Sequence, residues 1–474
     1  MHQWVRPTRL LWLAGLTLWL AGPPPAFAQA TSGSAPLTLG AAIDLALARN
    51  DRVVAARDEE QRATIGVRIA RAAFNPKVVP SLSSSLGQTD LANQNYGVAV
   101  SQQLTSGTEL RFNATTLSSR NQFGTFYAGD TTFLVRQPLL RGFGRAAARE
   151  PLTAAEARVD HSSRDRAFVE QTVALDVAGA YFDLIKQKQL AVVARQSLAR
   201  TRQLADASAA KLTLGRASQL DVLRARQLAG QGEAQLLAAA DAVDDAQDRL
   251  RLVMGMKSAE PMVVPDAIPP IATVNPLPED LVGAAWSTRV DVRNAEASVT
   301  DSTRAINLAR SQLRPQADLS LGMTRQIAGP SIKTSFGVND FRLATFATVS
   351  MPLDRTAEDA ALQTAVLERD RRQRDLDMMK TRVEMDVRKA ARAHDRALKT
   401  LELEAAALDL AARELDVAKF RYERGLATSL DLVAAESNLV AAEGRRIAAS
   451  ADVALSQFAL RAAVGILDPR TDMR

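Results

Sequence analysis

The 474-residue sequence has no cysteine, and its three histidines (His2, His161 and His394) lie far apart. Without cysteine there is no disulfide framework, no thiolate metal site and no thiol for an N-terminal lipid anchor. Two histidines beyond the first 28 residues make neither a metal set nor a triad, and no nucleophile–base pair or phosphate loop is present. An enzyme is therefore not expected, nor is a cofactor or a metal. Aromatic residues are 5% of the chain although hydrophobic residues are 47%. That imbalance suits long helices packed through alanine. No apolar run of 18 or more residues follows residue 28, so no transmembrane helix is expected and membrane residence must come through strands. The net charge is only +6. Arginines alternate with acids, and no basic run is interleaved with aromatics, which argues against a nucleic-acid partner.

Proline is missing from two long spans, Pro151 to Pro261 and Pro352 to Pro469. Proline-free stretches with helical periodicity are long helices. The pattern predicts helices over 38–74, 146–213, 219–253, 279–312, 355–423 and 429–464. The two longest reach about 100 Å at ~1.5 Å per residue, and the other four are about half that. Two half-length helices stacked end to end match one long helix. Along 355–423, Val383, Val387, Ala390, His394, Ala397, Leu401, Glu404, Leu408, Ala411, Leu415, Ala418 and Tyr422 follow alternating steps of four and three. This is a coiled-coil seam, with His394 as a packed member.

What organises the chain is a repeat. Lys211–Gly255 aligns with Arg421–Gly465 at an offset of 210 without a gap, and 13 of 45 positions are identical. A duplicated unit follows. In each copy a helical run meets a glycine, Gly215 or Gly425, suited to the left-handed position that ends a helix. Three residues on, Ser218 or Thr428 is an N-cap, with Asp221 or Asp431 at the third helical position. Each copy reads as the tip of a helical hairpin.

Residues 1–28 read as a secretory signal, with Arg6 and Arg9, an apolar Leu10–Ala21 and an Ala26-Phe27-Ala28 cleavage site. Elsewhere the period switches to two. Ala317, Leu319, Leu321 and Met323 alternate with polar or small residues, as do Phe341, Leu343, Thr345, Ala347, Val349 and Met351. Further strands are expected at 78–87, 96–104, 110–117 and 132–139, with a turn at Thr105–Thr108. Loops are expected at 118–130 and 328–340. Segments of this length with one apolar face are the signature of outer-membrane strands. Four to six strands cannot close a barrel, so several copies must share an axis, three giving 12 or 18 strands. The expected organisation is a signal peptide (1–28), a first repeat (29–255; strands 77–139, tip 214–218), a proline-rich linker (256–278) and a second repeat (279–474; strands 316–352, tip 424–428). The fold class is mainly α with transmembrane β: a duplicated long-helix coiled-coil α-barrel plus a trimeric outer-membrane β-barrel.

This arrangement resembles the outer membrane efflux protein (TolC) family over nearly all of the chain after the signal. The resemblance rests on the duplicated helix–strand–strand–helix plan and on the paired G-x5-D-[VL]-[LV]-x-A tips at Gly215–Ala225 and Gly425–Ala435. It rests also on Gln137-Pro138-Leu139-Leu140-Arg141-Gly142, where strand hands over to helix. It implies a homotrimer with a β-barrel pore in outer-membrane lipid and a helical tunnel through the periplasm. The tips, closed at rest, would dock onto a periplasmic adaptor protein and an inner-membrane transporter of RND, ABC or MFS type. Gly215, Ser218, Gly425 and Thr428 would form the docking turns. Asp431 matches an inward-facing gate aspartate, and Tyr422 a tyrosine that bonds across to the first-repeat aspartate, here Asp221. Two positions depart from the pattern: Ala434 replaces a second aspartate and Ala427 an arginine, which leaves a less acidic gate or one held by Arg424 or Arg216. The extra first-half hairpin departs from four strands per subunit.

Gly142-Phe143-Gly144-Arg145-Ala146-Ala147 matches a G-x-G-x-x-A dinucleotide fingerprint but lacks the βαβ setting. A turn from barrel wall to helix explains those glycines better. Two functions compete at this level. One is a passive exit duct of an efflux or type I secretion system. The other is a non-conducting periplasmic coiled-coil scaffold, which has no need of lipid-facing strands.

Overall fold

The computed structural model describes residues 36–86, 92–121, 124–215, 217–257, 260–268, 278–335 and 340–471. The signal segment 1–28 lies outside them, as does much of the linker. In chain order the elements are α1 (Leu39–Arg49), α2 (Asp51–Ala72), β1 (Lys77–Leu86), β2 (Ala92–Gln103), β3 (Glu109–Asn121), β4 (Gly124–Pro138), α3 (Arg145–Ala148), α4 (Glu150–Thr213) and α5 (Gln219–Met254). The second half follows as α6 (Leu281–Thr288), α7 (Val290–Gln312), β5 (Gln316–Gly329), α8 (Ile332–Ser335), β6 (Arg342–Ser350), α9 (Thr356–Glu423) and α10 (Ser429–Val464).

Three expected helices are each broken once: 146–213 divides at Arg149 between α3 and α4, and the other two divide at joints between helices. The 38–74 run divides at Asn50, whose extended backbone interrupts the helix while its side chain accepts from the Arg52 amide at 2.9 Å and restarts it as α2. The 279–312 run divides at Arg289, also extended, with its guanidinium held by the Asp291 carboxylate at 2.6 Å. Both breaks are joints. Asn50 Nδ2 donates to the Val253 carbonyl at 2.7 Å, and Thr288 Oγ1 donates to the Val464 carbonyl at 2.6 Å. The C-terminus of α5 thus abuts the start of α2, and that of α10 abuts the start of α7. The two 36-residue helices and their shorter partners of 22 and 23 residues form composite rods beside α4 (64 residues) and α9 (68 residues). The joints require glycine. Gly255 has φ +69°, and a Cβ there would lie 2.7 Å from the Arg49 carbonyl oxygen.

The rods form an arc in the order α5–α4–α10–α9 below the joints and α2–α4–α7–α9 above them. All twelve seam positions read on α9 are buried or half-buried, Val383, Val387 and Ala411 fully so. Glu404, the one charged member, accepts from Arg445 Nε at 2.9 Å, and His394 Nδ1 pairs with Ser456 Oγ at 3.0 Å. Contrary to the expectation of no such helix, α10 is long and apolar enough by composition to cross a membrane. It is instead packed between α4 and α9 and buries Glu436 and Arg461. The largest side chains gather at the waist. Tyr181, Phe182, Leu184 and Ile185 of α4 meet Ile43, Leu250, Met254 and Phe458. There Phe182 stacks on Phe458 at 6.1 Å between ring centroids, and Tyr181 donates to the Leu37 carbonyl at 3.0 Å. Burial raises the Tyr181 pKa. The described part of the linker runs against this cluster, burying Val264 and receiving the Leu37 amide at 2.7 Å.

All six strands pair antiparallel in the order β1-β2-β3-β4-β5-β6, so four come from the first half and two from the second. The expected loop at 118–130 is largely strand, since Ser118–Asn121 pair with Gly124–Tyr127. Residues 122–123 lie outside the described residues. Likewise β5 continues to Gly329 and α8 follows within the expected 328–340 loop, of which 336–339 are outside the described residues. Register brings the apolar positions of neighbouring strands to one face. Val100 pairs with Phe112, Phe112 with Phe133, Phe133 with Met323 and Met323 with Leu343. Phe112, Phe133, Met323 and Leu343 are exposed in the single chain, and Val100 is half-buried. The other face carries Ser81, Asn95, Asn113, Thr115, Thr132 and Ser320, with Arg136 bonded to Asp318 at 2.7 Å near the helical end.

The joint geometry yields a first test. Gly255→Ala places a Cβ against backbone at positive φ, and an alanine in the left-handed region costs ~1–2 kcal/mol before any clash. Urea unfolding followed by circular dichroism is expected to show a loss of about 2 kcal/mol. An unchanged midpoint would mean the joint is looser than described.

Candidate functional site at the paired helical turns

Two tight turns end the hairpins α4/α5 and α9/α10. At each, a glycine in the left-handed region (Gly215, φ +69°; Gly425, φ +74°) stops the long helix. Side-chain capping then starts the next one. Ser218 Oγ accepts from the Asp221 amide at 3.2 Å while Asp221 Oδ2 accepts from the Ser218 amide at 3.1 Å. Thr428 and Asp431 repeat this, with 3.3 Å and 2.9 Å for the same two bonds. The reciprocal box satisfies orphan amides of the first helical turn, and both carboxylates sit at the positive end of a helix dipole.

One difference between the repeats ties the two turns together. Ser429, the residue after the second cap, is 2% exposed and donates its hydroxyl to Asp221 Oδ1 at 2.6 Å. Its counterpart in the first copy is Gln219. Asp221 is therefore held from its own turn and from the other, and the Ser429 bond is the main cause of its lowered pKa, followed by the Ser218 bonds. Asp431 is lowered chiefly by the Thr428 amide and hydroxyl.

Tyr422 and Asp221 are not joined within the chain. The Tyr422 hydroxyl pairs with Ser208 Oγ at 3.1 Å, and Lys211 Nζ lies 3.9 Å from the ring centroid. Tyr422 thus ties α9 to α4, and Asp221 ties α5 to α10. Both groups are half-buried, and a cation over an aromatic face contributes ~0.5–1 kcal/mol when exposed and more as it loses water. About three turns above, Arg200 Nε donates to Glu436 Oε1 at 2.7 Å and its Nη2 stands 3.8 Å from Glu443. Burial pushes the Glu443 carboxyl up, and the Arg200 charge opposes that shift. A groove of about 250 Å³ lies between the two hairpins here, lined by Arg200, Lys211, Leu415, Tyr422 and Glu436 among others. Ser208, Lys211, Ser429, Arg200 and Glu436 escaped the sequence reading. No motif or spacing in the sequence singles them out.

Arg424, considered as a gate holder, stacks 3.9 Å above the Phe420 ring, and Arg216 lies outside the described residues. Ala434 is exposed one turn along from Asp431 and adds no carboxylate. Among the described residues no three His, Cys, Asp or Glu side chains are grouped to hold a metal ion. Gly142 and Gly144 have φ +77° and +90° and turn the chain from β4 into α3, as the wall-to-helix reading of their motif expects.

Comparison with known proteins agrees with this layout. A family model described as outer membrane efflux protein matches residues 42–256 and 281–466. The chain is 26% identical to Protein CyaE of Bordetella pertussis over 350 residues, which cover 70% of each protein. It superposes on the outer-membrane channel OprN with a TM-score of 0.72 at 18% identity, covering 90% of this chain and 89% of that one. The open state of the MtrE outer membrane channel of Neisseria gonorrhoeae matches with a TM-score of 0.70 at 20% identity, covering 90% and 89%.

The capping boxes make a signed pH prediction. A carboxylate with a lowered folded pKa stabilises fully above its ordinary value, ~4, and that contribution is lost as pH falls through the lowered one. Amide exchange at Asp221 and Asp431, corrected for intrinsic rate, is expected to be slow at neutral pH and to accelerate below about pH 4. Ser218→Ala or Thr428→Ala is expected to remove ~1 kcal/mol of protection at its own turn. Protection that persists unchanged into strong acid would refute the capping account.

Proposed function

The chain belongs to the outer membrane efflux protein family, and on that premise we propose how its copies assemble and how the tip is held. Family membership makes it an outer-membrane exit duct of the kind that serves efflux or secretion systems, with a periplasmic helical extension. A non-conducting scaffold does not fit that membership.

We infer a homotrimer, and one observation carries it: the sheet and the helical arc end on the same two sides. One side is β1, α2 and α5; the other is β6 and α9. On the first, α5 exposes Leu223, Gly230 and Leu237, seven residues apart, and on the second α9 exposes Leu403, Leu410 and Val417, also seven apart. The two helices run in opposite directions from the tip, so the stripes match in height. Leu223 meets Val417, Gly230 meets Leu410, and Leu237 meets Leu403, each pair within ~3 Å of level at ~1.5 Å per residue. The four leucines and Val417 are 56–71% exposed in one chain. Closing copies side to side buries this seam and pairs β1 with a neighbour's β6 at the same time. The apolar sheet face then meets lipid.

The duct does no chemistry of its own. Its turns at Gly215, Ser218, Gly425 and Thr428 dock onto a periplasmic adaptor protein, which couples it to an inner-membrane transporter. Asp221, Tyr422 and Asp431 hold the tip. Tyr422 and Asp221 each tie one hairpin to the other, and spreading the hairpins breaks both ties.

The seam is testable because the chain has no cysteine to interfere. Leu237→Cys combined with Leu403→Cys is expected to cross-link into dimers and trimers under oxidation, each single variant staying at dimer or below. Cross-links absent from the double variant would sink the seam. For the tip, Tyr422→Phe with Asp221→Ala is expected to raise single-channel conductance in planar bilayers. Conductance equal to that of the parent would remove the gating role.

A further inference from the structure

We propose that the outer-membrane segment is as wide as the helical tunnel it continues: an eighteen-stranded barrel that admits hydrated cargo about 20 Å across, two helices of ~10 Å side by side, without selecting it by charge. The inference rests on the three-copy closure proposed above and adds the size class of the cargo.

Width follows from counting elements across one copy. Six strands spaced ~4.8 Å apart and tilted ~40° to the axis span about 38 Å of circumference. Four helices side by side at ~9–10 Å span about 36–40 Å. The two arcs agree whatever the number of copies, so the wall does not step inward where helix hands over to strand. The handover is built for this match. The β2–β3 turn tucks under the strand-to-helix turn, since a Cβ on Gly107 would lie 3.1 Å from the Gly142 carbonyl oxygen. Gln102 Nε2 donates to the Phe74 carbonyl at 3.1 Å, which pins the first hairpin to the end of α2 as part of the wall. For three copies the circumference is about 113 Å, the backbone-to-backbone diameter about 36 Å and the bore about 25 Å once side chains are allowed for. Sheets of 16–18 strands enclose an aqueous channel, whereas eight are filled by their own side chains.

Wall chemistry points the same way. The polar face of β1–β3, half the circumference, is built mostly from serine, asparagine, threonine, glycine and alanine, with Val79, Gln103 and Leu117 among them. Its charges are confined to Lys77, Glu109 and Arg111 at the helical rim. On β4–β6 the same face adds Asp130 and Arg342, one of each sign, and the bonded pair Arg136–Asp318 at the rim. A wide wall with balanced charge neither strips hydration nor repels one sign of cargo. Sieving is left to the tips.

The test uses the purified full-length protein in nanodiscs and planar bilayers, beside a variant lacking residues 77–108. That excision removes β1 and β2 and joins α2 directly to β3, preserving every later strand direction. Electron microscopy of the parent is expected to show three copies and eighteen strands. Poly(ethylene glycol) of ~10 Å hydrodynamic radius, added from the extracellular side, is expected to enter the parent barrel and to be excluded from the variant. A ring of three copies whose first hairpin lies off the wall, or equal polymer exclusion by both proteins, overturns the inference while leaving the trimer intact. An assembly other than a ring of three overturns the trimer and the inference together. If the excised chain does not fold, the strand count of the parent decides alone.

Discussion

An edge strand in hydrocarbon has nowhere to place its amide and carbonyl groups. Each unpaired group costs several kcal/mol there, and β1 and β6 together offer a row of them along 10 and 9 residues. No surface contact elsewhere on the chain competes with a debt of that size. The sheet edges therefore dictate that copies join side to side, and the helical edges must follow because α2 leads directly into β1 and β6 directly into α9. The exposed leucine stripes on α5 and α9 are then consequences of a geometry fixed in the membrane.

The periplasmic part meets a different constraint. Helices of 64 and 68 residues gain little from propensity alone and depend on lateral packing along their whole length. The chain supplies it unevenly. Bulky side chains are concentrated at the waist around Tyr181, Phe182 and Phe458, while the ends of the rods rely on alanine seams and ion pairs. Large buried side chains are densest where the composite rods are jointed. The tips, held by capping boxes and a few hydroxyl bonds, are the part of the rods least supported by packing.

Much of this was legible in the sequence because periodicity is a one-dimensional signal. The α9 seam is visible as alternating steps of four and three. The sheet faces are visible as alternation, and the caps as a fixed spacing of serine or threonine before aspartate. The breaks at Asn50 and Arg289 were not legible, because each depends on a partner helix about 200 residues away whose carbonyls the break satisfies. The 118–130 segment looked like a loop for a physical reason: strands lining water carry serine and threonine, the same residues that populate turns. At the tips, the resemblance pairs Tyr422 with Asp221, whereas within the chain the Tyr422 hydroxyl meets Ser208. Asp221 is bonded instead by Ser218 and Ser429.

One ladder has a consequence for the life of the chain before it reaches its membrane. β4 and β5 are neighbours in the sheet, yet the Arg136–Asp318 bond that clasps them joins residues 182 apart in sequence. Among the described residues no strand lies between β4 and β5. A chain emerging N-terminus first can form β1–β4 as consecutive hairpins, but then holds an apolar sheet face with an open edge until the α4/α5 hairpin, the linker and α7 have followed. Such long-range pairing is slow and aggregation-prone. The duplicated architecture makes the first half of the chain wait for the second before its sheet can be completed.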